Sequence, residues 1–232
     1  MKTTPIVALD VSNATDALKT VGSLGDLCRF YKIGSELFTA VGPDIVSRVR
    51  ETGSDVFLDL KFHDIPNTVR GAVESAAALG VRLVTVHAVG GSAMVEAAVK
   101  AGGARVGILA VTVLTSFDDA SLGHATGKPA VVTGQEVGRL AELAATAGAH
   151  GVVCSGAEAP MLRERFGERL ALLVPGIRLS GGAAHDQKRV VTPRQAAVAG
   201  ARYIVVGRAV TASRDPRGAM ESVLGELESV TV

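Results

Sequence analysis

The chain contains no tryptophan, and its aromatic side chains are limited to six phenylalanines and two tyrosines. Few rings are therefore available on which nucleic-acid bases could stack. Lysine and arginine number 24 and aspartate and glutamate 23, which gives a formal net charge of +1. A chain this close to neutrality has no global field to attract a nucleic acid or an anionic membrane. We therefore expect neither partner, and any basic residue that binds a ligand must act locally.

Cysteine is also scarce. Cys28 and Cys154 lack Cys-x-x-Cys spacing and fall in apolar stretches, so we expect buried, reduced thiols and a cytoplasmic location. No apolar run approaches the roughly 18 residues of a membrane-spanning helix. The opening MKTTPIVALD reaches an acid too early for a secretory leader, and we expect none. The five histidines show no metal-ligand spacing, and no glycine-rich nucleotide motif occurs, so we expect no metal and no cofactor.

Short apolar segments recur at intervals of about 25 to 30 residues, the length of one strand-and-helix unit. They predict strands at Ile6–Leu9, Phe30–Ile33, Val56–Leu60, Leu83–His87, Val106–Val113, Gly151–Cys154, Leu172–Val174 and Tyr203–Val206. Segments rich in Ala, Leu, Glu and Arg predict helices at Asp16–Ser23, Glu36–Arg50, Thr68–Leu79, Ser92–Lys100, Gln135–Thr146, Glu158–Phe166, Pro193–Ala199 and Asp215–Val230. Eight alternating units predict an α/β fold, a TIM (β/α)8 barrel with parallel strands. A doubly wound open sheet is the alternative. We expect residues 1–232 to form one domain with its active site at the carboxyl ends of the strands.

Residues suited to chemistry lie in the last part of the predicted strands or directly after them, at the ends where such enzymes carry their chemistry. These residues are Asp10, Lys32, Asp59, Lys61, His87, Thr115, Ser116, Ser155, Arg178, Gly207 and Arg208. In a closed barrel they would converge on one mouth.

The segment Asp55 to Val69, DVFLDLKFHDIPNTV, carries the densest group of charges. Asp59 and Lys61 are two residues apart, so both side chains would lie on one face of a strand. Pro66 would turn the chain, and a helix could begin near Asn67-Thr68. The alternative interpretation, without a functional role, is a solvated ion pair at the surface. The apolar run before the charges argues against it, because such runs are typical of strands covered on both faces.

The acids Asp10, Asp59 and Asp64 and the bases Lys32 and Lys61 would alternate in sign, because like charges that are adjacent in a dry site repel and drive one group to its neutral form. A lysine held in such a chain can donate a proton or neutralise an anion. For Asp10 and Lys32 taken singly, a structural ion pair of the barrel remains the alternative.

Gly207 and Arg208 follow the eighth strand and Arg178 the seventh, where TIM barrels often bind phosphate. Glycine lets backbone N–H groups approach the phosphate, and arginine forks onto its oxygens. The polar segment Leu179–Thr192 is either a spacer loop or a lid over the ligand. Gln187 within it could reach the phosphate as a neutral donor.

These residues resemble the orotidine 5′-phosphate decarboxylase family over essentially the whole chain. The strongest piece is DLKFHDIPNT at Asp59–Thr68, which contains the family's D-x-K-x-x-D signature. The supporting pieces, in family order, are VALD to Asp10, YKIGSE around Lys32, VTVLTS to Ser116, PGIR to Arg178, DQKR around Gln187 and VVGR to Arg208.

The resemblance implies that orotidine 5′-monophosphate loses carbon dioxide and gives UMP without a cofactor, in the last step of de novo pyrimidine synthesis. Lys61 would protonate C6 of the pyrimidine, and Asp59 would lie against the departing carboxylate. Lys32 and Asp10 would contact the ribose, and Lys32 would also belong to the charge network.

The resemblance also implies a homodimer, in which Asp64 and Thr68 reach the neighbouring site. The remaining substrate contacts would be Thr115 or Ser116 to the pyrimidine, Arg178 and Gln187 to the phosphate region, and Gly207 and Arg208 to the phosphate itself. The nearest alternative is a magnesium-dependent sugar-phosphate lyase of the same superfamily, of the 3-keto-L-gulonate 6-phosphate decarboxylase or hexulose 6-phosphate synthase type. A non-catalytic barrel that binds a phosphorylated ligand is a second alternative.

Overall fold

Parallel strands form the centre of the molecule. The computed structural model describes residues 2–128, 130–179 and 190–230. Within them lie eight strands: β1 Thr4–Ala8, β2 Phe30–Gly34, β3 Asp55–Phe62, β4 Leu83–His87, β5 Gly107–Val111, β6 Gly151–Val153, β7 Ala171–Val174 and β8 Tyr203–Val206. Every predicted strand is present, with boundaries that differ by a few residues at most.

Helices connect the strands. The described residues contain α1 Ala14–Leu24, α2 Ser35–Val41, α3 Asp44–Glu51, α4 Pro66–Ala78, α5 Ser92–Gly102, α6 Asp119–Thr126, α7 Thr133–Thr146, α8 Ala159–Phe166, α9 Pro193–Val198, α10 Arg208–Thr211 and α11 Pro216–Glu228. None of these helices is long and apolar enough to cross a bilayer.

The strands pair in chain order and the sheet closes on itself, because β1 pairs in parallel with both β2 and β8. The TIM (β/α)8 barrel predicted from the sequence is confirmed, and the open sheet is wrong. Closure brings the carboxyl ends of all eight strands to one mouth.

Alternation along each strand divides the core in two. Inward side chains such as Ile6, Phe30, Phe57 and Leu109 fill the barrel interior. Side chains of the opposite phase pack outward against the helices in a second, larger cluster. This period of two fixes which polar residues face into the mouth.

Two helix predictions need correction. Residues Glu36–Arg50 form two helices, not one, because Gly42 turns the chain at φ +81° and Pro43 is the N-cap of the next helix. Helix α4 begins at Pro66, with Ile65 in extended conformation as its N-cap, so Asn67-Thr68 lie inside the first turn. Proline has a fixed φ suited to the first helical position, and it forces the preceding residue to stay extended.

Candidate active site

The inward phase of two neighbouring strands carries charge into the barrel mouth. On β2, Lys32 follows the interior residue Phe30 at a spacing of two, and on β3 Asp59 follows Phe57 in the same way. The register sets Gly34 of β2 opposite Asp59. Lys32 and Asp59 are each only 9% exposed. The positive charge of Lys32 and the negative charge of Asp59 therefore lie in a poorly hydrated place, where electrostatic interactions are stronger than in water.

Four side chains form a continuous chain of alternating charge. Lys32 Nζ lies 2.8 Å from Asp10 Oδ1 and 3.7 Å from Asp59 Oδ2. Asp59 Oδ2 lies 2.9 Å from Lys61 Nζ. The order is carboxylate, ammonium, carboxylate, ammonium, so each buried charge has a neighbour of opposite sign. The structure thus brings together four of the five charged residues singled out from the sequence.

Lys61 reaches this chain through an unusual backbone conformation. Its φ is +52°, the only positive value among the described non-glycine residues. The pairing of β3 with β4 is irregular at this point, since Leu58 lies opposite Val84 whereas Phe62 lies opposite Val86. The expected contact between Asp59 and Lys61 is present, but a bulged strand forms it rather than regular alternation. Such conformations are costly and cluster at active sites.

Thr85 is a site residue that our sequence analysis missed. It lies on the inward face of β4, it is fully buried, and its Oγ1 donates to Asp59 Oδ1 at 2.9 Å. The same Oγ1 accepts from the backbone N–H of Lys61 at 2.9 Å. The available signal was a single polar residue inside the apolar strand LVTVH.

A cavity of about 270 Å³ opens above the barrel interior. Its floor is apolar, and the charge chain and two arginines lie around it. The described lining consists of Ala8, Asp10, Lys32, Phe57, Asp59, Lys61, Val111, Val113, Leu114, Thr115, Val153, Leu173, Pro175, Gly176, Arg178, Val205, Gly207 and Arg208. A site with an apolar floor and a few convergent polar groups is typical of small-molecule binding.

Arg178 and Arg208 follow β7 and β8 respectively, and both line the cavity. Arg178 is 9% exposed, and its guanidinium donates to the carbonyl of Ile177. Its backbone N–H donates to Val191 O at 3.0 Å, which ties together the two described ends of the segment after β7. Arg208 is exposed and begins α10 directly after Gly207.

The other sequence-predicted residues have different surroundings. Thr115 lines the cavity, whereas its neighbour Ser116 is exposed and outside the described lining. Asp64 and Thr68 are exposed, and they too lie outside that lining. Asp64 Oδ1 accepts from the backbone N–H of Ile65. Gln187 and the central part of the proposed lid lie outside the described residues.

His87 ends β4 next to the charge chain. Burial lowers the pKa of His87, and the neighbouring charges of His63 and Lys61 lower it further. The rings of His63 and His87 lie 5.6 Å apart between centroids. The imidazole of His87 is therefore held in its neutral form to lower pH than an exposed histidine.

Comparisons with known proteins agree with this geometry. Residues 3–223 match the family model described as the orotidine 5′-phosphate decarboxylase / HUMPS family. The orotidine 5′-phosphate decarboxylase of Dichelobacter nodosus is 48% identical over 226 residues, covering 96% of this chain and 97% of the relative. That of Hahella chejuensis is 47% identical over 230 residues, covering 97% of each chain. The crystal structure of the Lactobacillus acidophilus enzyme superposes with a TM-score of 0.86 at 36% identity, covering 98% of this chain and 99% of that one.

Proposed function

Because the chain belongs to the orotidine 5′-phosphate decarboxylase / HUMPS family, we propose that it converts orotidine 5′-monophosphate to UMP and carbon dioxide, the last step of de novo UMP biosynthesis. The observation that carries the proposal is the charge chain Asp10–Lys32–Asp59–Lys61, which lies in one cavity with two arginines. The reaction proceeds without a metal or organic cofactor, because the side chains supply the charge stabilisation and the proton.

In this mechanism the C6–carboxylate bond of the pyrimidine breaks and its electron pair stays on C6 as carbon dioxide departs. The ammonium of Lys61 stabilises the developing carbanion and then transfers a proton to C6, and solvent later reprotonates the amine. Asp59 lies beside the departing carboxylate, so repulsion between the two anions is relieved as carbon dioxide forms. Lys32 holds Asp59 in place through an ion pair and is itself paired with Asp10. Lys32 and Asp10 would together contact the ribose.

The phosphate would bind at the opposite side of the cavity, against Gly207 and Arg208, with Arg178 and Gln187 assisting. The position of both arginines in the cavity lining after β7 and β8 supports this assignment. Charge-assisted hydrogen bonds from guanidinium to phosphate are strong and directional. Binding energy gained at the phosphate can hold the pyrimidine against the charge chain, so it contributes to turnover as well as to affinity.

In this proposal Thr115, and not Ser116, contacts the pyrimidine. Thr115 lines the cavity, and Ser116 is exposed outside its described lining. A threonine hydroxyl can both donate to and accept from the polar edge of a pyrimidine.

We further propose a homodimer in which Asp64 and Thr68 complete the neighbouring site. Two observations support this arrangement. Asp64 and Thr68 follow β3 closely, and both are exposed and absent from the described lining of their own cavity. We also propose a cytoplasmic location and one barrel domain over residues 1–232. The first is supported by Cys28 and Cys154, both among the described residues, which are buried and not disulfide-bonded.

The decisive experiment is to mix the purified protein with orotidine 5′-monophosphate in the presence of EDTA and to follow the loss of pyrimidine absorbance. We expect conversion to UMP, which Lys61→Ala abolishes almost completely. Lys100→Ala, which removes an exposed lysine on α5, is the matched control and should leave turnover unchanged. Activity only on keto-sugar phosphates with added magnesium would instead assign the chain to the sugar-phosphate branch. Tight binding of the nucleotide without carbon dioxide release would favour a binding protein.

A further inference from the structure

The irregular pairing of β3 with β4 leaves one residue opposite three. Asp59, Leu60 and Lys61 lie between the paired positions Leu58 and Phe62, whereas Thr85 alone lies between the facing positions Val84 and Val86. Backbone groups in such a bulge lose their ladder partners. An unpaired backbone N–H in a buried site is unfavourable, so a side chain or water has to replace the lost partner. Here the replacement is the hydroxyl of Thr85.

The direction of both hydrogen bonds at Thr85 is fixed by chemistry. The backbone N–H of Lys61 can only donate, so Thr85 Oγ1 accepts from it at 2.9 Å. A carboxylate oxygen accepts, so the single hydroxyl proton of Thr85 is directed to Asp59 Oδ1, also at 2.9 Å. The hydroxyl therefore links the backbone of one charged residue to the side chain of the other.

Each bond constrains a different part of the charge chain. The bond to Oδ1 fixes the plane of the Asp59 carboxylate and leaves Oδ2 directed at Lys61 and Lys32, at 2.9 and 3.7 Å. The bond from the Lys61 N–H holds the backbone at φ +52°, a strained conformation for a residue with a side chain. That conformation directs the lysine side chain back to the acid that precedes it by two residues.

We propose that Thr85 is a positioning residue that sets the distance and direction between Asp59 and Lys61. The inference rests on the proposed function in one respect, namely that Lys61 delivers the proton. Thr85 is fully buried and contacts the carboxylate of Asp59 and the backbone N–H of Lys61, so it acts through these residues and not on the substrate. Serine keeps the hydroxyl and can make both bonds. Valine has nearly the same shape and fills the volume, but it leaves a carboxylate oxygen and a backbone N–H without their partner.

The test compares Thr85→Val, Thr85→Ser and a matched control, Thr112→Val. Thr112 is another buried barrel threonine, and its hydroxyl donates to the carbonyl of Val153 at 2.8 Å. We expect kcat to fall roughly 100-fold in Thr85→Val, the size of effect that accompanies misplacement of a reacting group by about 1 Å. Thr85→Ser should stay within about threefold of the wild type, as should Thr112→Val.

Two further measurements separate positioning from a general loss of structure. The dissociation constant for UMP should change less than threefold in Thr85→Val, because the proposed phosphate-binding arginines follow β7 and β8, which do not pair with β3 or β4. A crystal structure of Thr85→Val should show Lys61 without its positive φ, or its Nζ no longer in contact with Asp59. A valine variant with wild-type kcat, a serine variant as slow as the valine variant, or an unchanged Lys61 conformation in the crystal would each overturn the proposal.

The outcomes remain distinguishable from failure of the proposed function. If the wild-type protein does not release carbon dioxide from orotidine 5′-monophosphate, the proposed function fails, whereas the crystal structure still decides whether Thr85 sets the geometry of Asp59 and Lys61. If the wild type is active and Thr85→Val matches it, the function stands and the positioning role is rejected. If Thr85→Val does not fold, the serine variant decides the matter alone, since the hydroxyl is the only group that the proposal requires.

Discussion

Lys32 and Asp10 form a close ion pair, with 2.8 Å between Nζ and Oδ1, yet the two partners differ greatly in exposure. The lysine side chain is 11% exposed and the aspartate side chain 57%. Lys32 also lies 3.7 Å from Asp59, which is itself buried. The pair therefore joins the buried ammonium of Lys32, which also lies beside the buried Asp59, to the carboxylate of Asp10, which water can solvate.

This asymmetry predicts unequal effects on stability. Lys32→Met removes one of the two cations beside Asp59, and we expect it to lower the free energy of unfolding by about 2 kcal/mol, less than a full unpairing because Lys61 remains. Asp10→Asn removes a largely solvated charge and should cost about 0–1 kcal/mol. Urea unfolding of both variants with the wild type measures the difference. Equal losses of unfolding free energy in the two variants would mean that burial does not determine how much each charged residue stabilises the fold.

Arg208 should contribute to substrate affinity without stabilising the fold. It is exposed and lines the cavity, so Arg208→Ala should change the free energy of unfolding by no more than about 0.5 kcal/mol. We expect KM for orotidine 5′-monophosphate to rise by a factor of about 10–150, the equivalent of a lost charge-assisted hydrogen bond. Arg214→Ala, at an exposed arginine outside the described cavity lining, is the matched control.

The nucleoside orotidine makes this prediction specific for phosphate. Because it lacks the phosphate, Arg208→Ala and the wild type should bind it equally weakly. A defect of the same size with nucleoside and nucleotide would show that Arg208 does not act on the phosphate.

The barrel was predictable because each strand has a recognisable local sequence pattern. Apolar runs bounded by helical segments placed all eight strands, and the polar residues at the strand ends predicted a common mouth. The helices were less certain. The break in Glu36–Arg50 depends on Gly42 adopting a positive φ, which the neighbouring Pro43 only suggests. Helix α6 at Asp119–Thr126 lacks a clear apolar face and was missed.

The role of a residue that acts through contacts between strands could not be predicted from the sequence. Thr85 contacts the charge chain only because the bulge in β3 brings Lys61 and Asp59 to it. Gly34 likewise matters only because the side chain of Lys32 passes over it. Nothing in a single sequence shows that a particular lysine adopts φ +52°, since the surrounding barrel imposes that conformation.

The free energy of unfolding should depend on pH through His87. Its folded-state pKa is lowered from the usual 6.5 by burial, then by His63 and Lys61. Between that lowered pKa and 6.5 the unfolded chain binds the proton and the folded chain does not, so stability increases with pH. Above about 6.5 the ring is neutral in both states and has no effect, and as the pH falls below that value protonation of the unfolded chain lowers the free energy of unfolding.

We therefore expect the urea midpoint of the wild type to decrease as the pH is lowered from 7.5 to 5.5. His87→Gln should make this decrease smaller. Comparing the difference between the two pH values, rather than the stabilities themselves, removes any packing cost of the substitution. An NMR titration of the His87 ring checks the cause, because His63→Gln should raise the pKa of His87. An identical pH slope with and without the His87 ring would contradict the prediction.

Gly34 should control the position of Lys32. A methyl group added there would lie 3.0 Å from Lys32 Nζ and 3.5 Å from Asp10 Oδ1, so the ammonium would have to move by a few tenths of an ångström. The backbone itself is unstrained, since Gly34 has φ −93° and ψ −179°. Gly34→Ala should therefore lower kcat about tenfold, because displaced catalytic groups lose activity steeply with distance, while the protein remains folded.

Gly22→Ala is the matched control. Gly22 lies in α1 with open space around the position of a new methyl group, so alanine should raise stability by about 0.5–1 kcal/mol and leave kcat unchanged. Steady-state kinetics and thermal unfolding of both variants separate the two effects. Wild-type kcat in Gly34→Ala, together with a crystal structure in which Lys32 has moved away from Asp10, would show that turnover does not require this ion pair in its observed geometry.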